Sequence, residues 1–395
     1  MMIPERPSLE RRVLAAIDGS APGGLRIPVV IGGCGSGRTS LLLRLRDLLG
    51  TERAQYVDIE RVATTPERFL TALRESSPFP ALLAPAAGNA ETGARESFDA
   101  ALAFLDAVRA PGAAPATFLL DEFLELRTFE SFPGLRSVLR DLVGVLGASG
   151  NRFVLTTRYA ARAHRLLRDA PAAFEIVHVA PLTAAEIRAT LPVAHAEEHA
   201  LRDNEDEHDR ERDEFARIVQ ALADGRPLYA RAIAETAVSM ASRGGPDPIS
   251  ALAALLAPGG QLANACRYCY ELRLHRARGY GALKAILEVL ADQEPLTLTE
   301  IAQRLRRTPG STKDYLSWLE DVDLIVSRMK RYSFADPMMR LWVKLHCRPV
   351  PPTEDVIAHE LHKYMQARLP HAEPALAVAG QPVEREKSWG IIEID

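Results

Sequence analysis

The chain has 395 residues, 47% hydrophobic and 25% charged, enough for two to three domains of roughly 150 residues whose cores need no covalent staple. A formal net charge of −4 excludes a uniformly basic nucleic-acid coat, although a sum conceals any local basic face. Four scattered cysteines (Cys34, Cys266, Cys269, Cys347), the absence of an apolar run of ~18–20 residues and an N-terminus without a signal-type apolar core set the expectation of a cytoplasmic protein with no membrane partner.

The first half alternates β-type runs with amphipathic stretches, the pattern of an α/β domain with a mostly parallel sheet. Strands are predicted at 27–31, 55–59, 117–120, 152–156 and 174–179, and helices near 39–49, 66–76, 96–109, 130–147 and 183–191. Thr65 stands as an N-cap before Pro66, and Thr183-Ala-Ala-Glu186 has the spacing of a capping box. Beyond residue 192 the strand signal disappears. The run RDNEDEHDRERDE (202–214) holds eight acids and three arginines and reads as a solvated loop or the outer face of a helix start. Helical patterns follow at 228–242, 249–257 and 259–277, broken by SRGGPDP (242–248). A proline-rich hinge at 348–352 precedes one predicted helix at 354–368.

The most informative segment is 26–50. A β-rich run leads into a loop with Gly32, Gly33, Cys34, Gly35, Ser36 and Gly37, and an apolar-periodic helix follows from Arg38, Thr39 and Ser40. Gly32-x-x-x-x-Gly37 has P-loop spacing. Glycines let successive backbone N–H groups turn inward onto phosphate oxygens, and the helix N-terminus adds its positive end. Thr39 stands where a hydroxyl ligates Mg²⁺. Arg38 stands where that pattern has lysine, and its planar fork differs from a compact ammonium, so nucleotide hydrolysis is less assured than binding. The alternative is a glycine-rich βα turn of a dinucleotide fold.

ATFLLDEF (116–123) is an apolar strand ending in two acids, the Walker B pattern: Asp121 for Mg²⁺ and Glu122 to polarise an attacking water. RFVLTTR (152–158) ends a further strand at Arg158, either a γ-phosphate sensor or a surface arginine at a strand end.

This order of motifs resembles the AAA+-like and STAND branch of P-loop ATPases, most of all the archaeal-type ATPases, and is related in layout to origin-recognition ATPases. The residues that carry it are GGCGSGRT (32–39), FLLDEF (118–123), VLTTR (154–158), APLTAAEI (180–187) and DGRPLYARAI (224–233). The last is similar to the family's Gly-x-Pro sensor on a helical lid. The resemblance implies that Arg226 and Pro227 meet the nucleotide and that Arg226 or Arg231 reaches the γ-phosphate, against the plainer alternative of a helix start. It leaves Arg162 and Arg165 as candidates for reaching a neighbour's site in an oligomer, and it carries over no nuclease activity.

Residues 281–347 read as a winged helix. Leu283, Ile286, Leu287 and Leu290 share one helical face, as do Leu298, Ile301, Ala302 and Leu305, with Thr297-x-x-Glu300 as a capping box. A third helix is predicted at 311–322, then a two-stranded wing at 324–334 tipped by Arg328, Lys330 and Arg331. As a DNA reader this unit places Thr312, Lys313 and Ser317 in a major groove, helped by Arg304, Arg306 and Arg307, with the wing on phosphates. The acids Asp314, Glu320, Asp321 and Asp323 oppose that approach, and a protein-binding module is the rival. Cys266-x-x-Cys269, with His275 as a third ligand, is the outline of a metal or redox site; small core residues on a helix explain it more simply. Cys34 reads as incidental to the P-loop.

The expected architecture is α/β: a P-loop core (1–192), a helical lid with the acidic run (193–280), a winged helix (281–347) and an extension (348–395). The expected cofactors are ATP and Mg²⁺. Double-stranded DNA or a protein partner meets the winged helix. The expected function is an ATPase coupling nucleotide state to that contact, the alternatives being a non-hydrolysing switch or adaptor and a winged-helix regulator with a degenerate ATPase domain.

Overall fold

The computed structural model describes residues 6–21, 24–80, 93–171, 173–191, 205–241, 245–275 and 279–369. Five parallel strands form the central sheet: β1 Ile27–Ile31, β2 Ala54–Asp58, β3 Thr117–Asp121, β4 Arg152–Thr157 and β5 Phe174–His178, in the order β2-β3-β4-β1-β5. Val29 is in register with Leu155 on one side and Ile176 on the other, while Leu120 pairs with both Val57 and Leu155. Both faces are covered, which is why the inner strands read as unbroken apolar runs. Alternate residues serve opposite faces. Val30, Leu119, Val154 and Val177 pack with α1 (Pro7–Asp18) and α2 (Arg38–Leu49), whereas Phe118 and Phe153 stack on the other face with ring centroids 5.6 Å apart.

This order places β1 between β4 and β5, so the loop leaving β1 meets the ends of β3 and β4 at the carboxyl edge of the sheet, where open α/β sheets hold ligands. The five predicted strands are present within a residue of their expected ends. Helices α3 (Pro66–Glu75), α4 (Ala94–Ala107) and α5 (Val138–Ala148) follow in chain order. Thr65 accepts from Arg68 N at 3.2 Å, as its place before Pro66 implies. The single helix predicted over 130–147 is instead a 3₁₀ stretch, Phe123–Ser131, and α5, because Pro133-Gly134 breaks it. Helices α1 and α6 (Ala160–Leu167) were not anticipated.

Helix α7 (Ala184–Thr190) starts with the complete Thr183–Glu186 capping box. The acidic run enters α8 (Glu205–Ala223), where Asp209 and Asp213 hold Arg188 at 2.8 and 2.6 Å. Then come α9 (Pro227–Met240), α10 (Pro248–Leu256) and α11 (Gln261–His275). No single helix among the described residues is long and apolar enough to cross a membrane; one bent pair, α10 with α11, meets length and composition together.

From 280 onward α12 (Tyr280–Asp292), β6 (Leu296–Thr297), α13 (Leu298–Arg304), α14 (Pro309–Asp321), β7 (Ile325–Arg328) and β8 (Arg331–Phe334) have winged-helix topology, with strand order β6-β8-β7. Met329 and Lys330 turn the wing at φ 49° and 63°, a two-residue hairpin whose left-handed pair matches strand twist. Leu283, Ile286, Leu287, Leu290 and Ile301 are fully buried, as their spacing requires. One expectation is corrected. Thr312 is fully buried and donates to Thr308 O at 2.9 Å, because α14 turns that face onto its own core; only Lys313 and Ser317 of the three proposed groove contacts are exposed. Helix α15 (Pro337–His346) leads to α16 (Glu354–Gln366), whose Tyr364 donates to Leu222 O at 2.9 Å and so ties α16 back to α8.

Candidate nucleotide site

The loop after β1 turns through Gly35 at φ +72° and Gly37 at φ +90° before α2 begins at Arg38. Gly35 is required twice over: its backbone is left-handed, and a Cβ there would lie 2.7 Å from Leu228 Cβ. Ser36 Oγ and Arg38 Nε are buried here without hydrogen-bond partners among the described residues. A cavity of ≈ 520 Å³ opens beside the start of α2, lined in part by Arg6, Gly37, Ser40, Arg44 and Pro227.

The two acids at the end of β3 have different surroundings. Asp121, 3% exposed, accepts from Thr39 Oγ1 at 2.7 Å and Tyr56 OH at 3.0 Å on one oxygen, and from Thr156 Oγ1 on the other. Burial and the adjoining Asp121 charge push the Tyr56 hydroxyl's pKa upward, so it remains a donor. Glu122, 5% exposed, sits at φ 55°, a left-handed conformation that side-chain-bearing residues rarely adopt. Its Oε1 meets Arg38 Nη2 at 2.5 Å and Arg158 Nε at 3.0 Å, and its Oε2 accepts from Arg158 N at 3.1 Å. Burial raises the Glu122 pKa, but the Arg38 and Arg158 charges outweigh it and the net shift is downward. Arg158 also pairs with Glu60, and Arg38 donates to Gly32 O. Arg158 is thus a buried partner of Glu122, not a surface arginine.

The lid closes from the opposite side. Arg226 Nη1 donates to Cys34 O at 3.3 Å and lies 3.2 Å from Asp336 Oδ2, while its Nη2 donates to Ala335 O at 3.0 Å. Leu228 N donates to Gly35 O at 3.2 Å, and Pro227 approaches the Cβ direction of Gly37. The turn delivering Arg226 depends on Gly225, at φ +62°, where a Cβ would sit 2.7 Å from Leu182 O. Asp336 caps α15 through Met338 N at 2.9 Å and accepts from Tyr229 OH at 2.7 Å.

No family model matches the chain, and no curated protein matches it. Solved structures do. A Walker-type ATPase of Pyrococcus abyssi superposes with a TM-score of 0.61 at 17% identity, over 87% of this chain and 96% of that one. The likeness is one of fold, a P-loop NTPase-type parallel sheet with helices on both faces. The ORC1 protein of Aeropyrum pernix, solved in complex with DNA, superposes at 0.44 with 17% identity, over 91% and 93% of the two chains. A STAND signal-transduction ATPase of Pyrococcus horikoshii with a tetratricopeptide-repeat sensor gives 0.34 at 18% identity, over 90% of this chain and 45% of its own.

On this frame the structure gathers Gly32 to Ser40, Asp121, Glu122, Arg158, Arg226 and Pro227 around one loop. Arg231 is not among them: it is exposed on α9 and pairs with Glu235 at 3.0 Å, because five residues along a helix carry it away from the face of Arg226. Arg165 pairs with Asp321 of α14 within the chain, and Arg162 lies 5.1 Å from the Tyr159 ring centroid. Several contributors escaped sequence reasoning: Tyr56, Glu60, Thr156, Arg273 and Asp336. Arg273, 3% exposed on α11, donates to Asp323 O at 3.0 Å. Burial raises the Asp323 carboxyl to about 6, against the pull of Arg273, Arg226 and Arg38. The winged unit therefore meets Arg226, which itself touches the P-loop, through Ala335 and Asp336, and meets Arg273 through Asp323. Thr156 and Asp336 had local signals, a Thr-Thr-Arg strand end and an Asp-Pro helix start. The other three had none.

Proposed function

We propose that the chain binds ATP with Mg²⁺ at Gly32–Ser40 and uses nucleotide state to set the position of its winged helix. Arg226 carries this reading: a single guanidinium touches the P-loop at Cys34 O and the winged unit at Ala335 and Asp336, so a phosphate that attracts it competes directly with the winged unit. The residues present fit the ligand. The N-terminus of α2 and the unpartnered Ser36 Oγ suit phosphate oxygens, and Thr39 with Asp121 is an oxygen pair suited to a hard divalent cation. Bound there, Mg²⁺-ATP supplies a phosphoanhydride open to attack by water. The division into core (1–192), lid (193–280), winged helix (281–347) and extension (348–395) belongs to this proposal.

Thr39 and Asp121 hold the cation, Arg38 and Arg158 balance charge on the terminal phosphate, and Glu122 takes the proton of the attacking water. Glu122 is ion-paired to both arginines, so its carboxylate exchanges those partners for water before it acts as a base. The same clamp favours a second reading, a nucleotide-dependent switch without turnover. On the output side, Asp321 is engaged by Arg165 and the Asp323 backbone by Arg273, while Arg306, Arg307, Lys313, Arg328, Lys330 and Arg331 stay exposed beside Asp314. That balance supports contact with nucleic-acid phosphates through the wing.

The test is Mg²⁺-dependent ATP binding and turnover, each with and without duplex DNA. Turnover abolished in Glu122→Gln supports the ATPase. Tight ATP binding with no turnover leaves the switch, and absence of ATP binding overturns both. DNA binding indifferent to ATP identifies instead a winged-helix regulator with a degenerate nucleotide domain.

A further inference from the structure

Two cysteines separated by 235 positions meet at the P-loop: Cys34 Sγ and Cys269 Sγ are 3.0 Å apart. Both are free thiols and both are partly exposed. The other member of the Cys-x-x-Cys pair, Cys266, is 1% exposed and buried in the core, deeper than Cys269 on the same helix. Among the described residues no group of three or more His, Cys, Asp or Glu side chains is arranged to hold a metal. Cys266 is a core residue, as expected, and Cys269 packs against the same core, but its contact with Cys34 means that Cys34 is not incidental.

We propose that Cys34 and Cys269 are a reversible thiol–disulfide pair, oxidised by a low-molecular-weight disulfide, whose bond clamps the helical lid onto the P-loop. Their surroundings suit the two parts of the exchange. The Cys269 thiol donates toward Cys34, and Arg273, Arg158 and Arg38 face it, so against the cost of burial the Cys34 thiol is pulled down to about 6. Cys269 is shifted upward by the same contact and by burial, and so it keeps its proton and serves as donor. Arg273 lies four residues beyond Cys269 on α11, one turn along the same face.

The chemistry balances. Cys34 thiolate attacks one sulfur of the small disulfide, and that S–S bond breaks as one small thiolate leaves with the electron pair. Cys269 passes its proton to solvent and attacks Cys34 Sγ, and the second small thiolate leaves. Two protein thiols are oxidised and one small disulfide is reduced to two thiols. Closing 3.0 Å to a bond of ~2.05 Å asks for a shift of about 1 Å. The bond would add a covalent tie to the contacts of Arg226 with Cys34 O and Leu228 N with Gly35 O, fixing the stretch whose backbone must turn to receive phosphates. The cross-link stands on this geometry alone, and its effect on nucleotide rests on the function proposed above.

The experiment equilibrates the full chain with oxidised and reduced glutathione over a range of ratios, quenches with acid and maps the products by mass spectrometry. The expected product has lost two hydrogens and yields a cross-linked 34–269 peptide, while Cys269→Ser gives a glutathione adduct on Cys34 instead. Exchange of a fluorescent ATP analogue should be at least about tenfold slower in the cross-linked chain and recover on reduction. Glutathionylation of Cys34 without a 34–269 cross-link overturns the proposal, and so does a cross-link that leaves ATP exchange unchanged. A reduced chain that binds no ATP overturns the nucleotide reading only. The clamp is then judged by amide hydrogen exchange over 32–37, which must slow on cross-linking; equal exchange in both forms overturns it.

Discussion

The sheet wall and the lid wall of the P-loop are held by different bonds. On the sheet side, Asp121 is satisfied by three hydroxyls and Glu122 by two buried arginines, one of which also holds Glu60. On the lid side, contact runs through backbone carbonyls, one arginine shared with Asp336, and one sulfur pair. Buried charge networks resist opening because each broken pair leaves an uncompensated charge, whereas an arginine on carbonyl oxygens exchanges partners at lower cost. On the function proposed above, a ligand at the loop shifts the lid more readily than the strand ends.

The largest expected effect probes the rigid wall. Arg158→Ala leaves Glu122 and Glu60 without a common partner and should lower stability by ~3–5 kcal/mol in urea titration. A loss below about 1 kcal/mol would show that the strand-end network is no stiffer than the lid. Next, Glu122→Gln should reduce ATP turnover ~100-fold or more while ATP binding is retained, measured by phosphate release and by calorimetry. Unchanged turnover removes Glu122 from the chemistry and leaves it a structural counter-ion.

The movable wall is tested by Asp336→Ala, which deletes a helix cap and frees Arg226 and Tyr229. Stability should fall by ~1–2 kcal/mol, with faster nucleotide release and faster amide exchange over 32–37. Slower release would reverse the assignment of which wall moves.

The pH dependence is smaller. With the Cys34 pKa below an ordinary thiol's ~8.5, its thiolate population, and hence its alkylation rate, should rise with a midpoint near pH 6. Because the folded pKa lies below the unfolded one, the linked stability is complete above pH ~8.5 and is lost as pH falls through about 6. A midpoint above pH 8 would remove the arginines from its environment. The smallest effect on stability is expected at the wing. Arg328→Ala with Lys330→Ala should stay within about ±0.5 kcal/mol of the parent, yet lower the salt slope of any DNA binding by ~1 per lost phosphate contact.

The five strands, the glycine loop, Asp121, Glu122 and the helices of the winged unit were legible because their signals are local: an apolar run, a spacing, a cap, a face repeating at i, i+3, i+4 and i+7. Thr312 was misassigned and Arg231 left open for one reason. A residue's exposure depends on which side of its helix meets a neighbour, and at these two positions the local pattern left that open. Tyr56 and Thr156 converge on Asp121 from strand β2 and strand β4, 65 and 35 positions away, and become its partners only once the strand order puts β3 between them. Helix α1 interrupts its apolar positions with Glu10, Arg11 and Arg12, and those positions acquire meaning only against the second face of the sheet.

The sequence alone determined that a glycine loop of P-loop spacing precedes a helix and that an acid pair ends an apolar strand, since backbone conformation and strand patterning are set within a few residues. Tertiary structure decided what each charge meets. It directed Arg38 and Arg158 to Glu122, Arg226 to both Cys34 and Asp336, and Cys269 to Cys34, because desolvated groups must find their partners among whatever side chains the packed elements bring near.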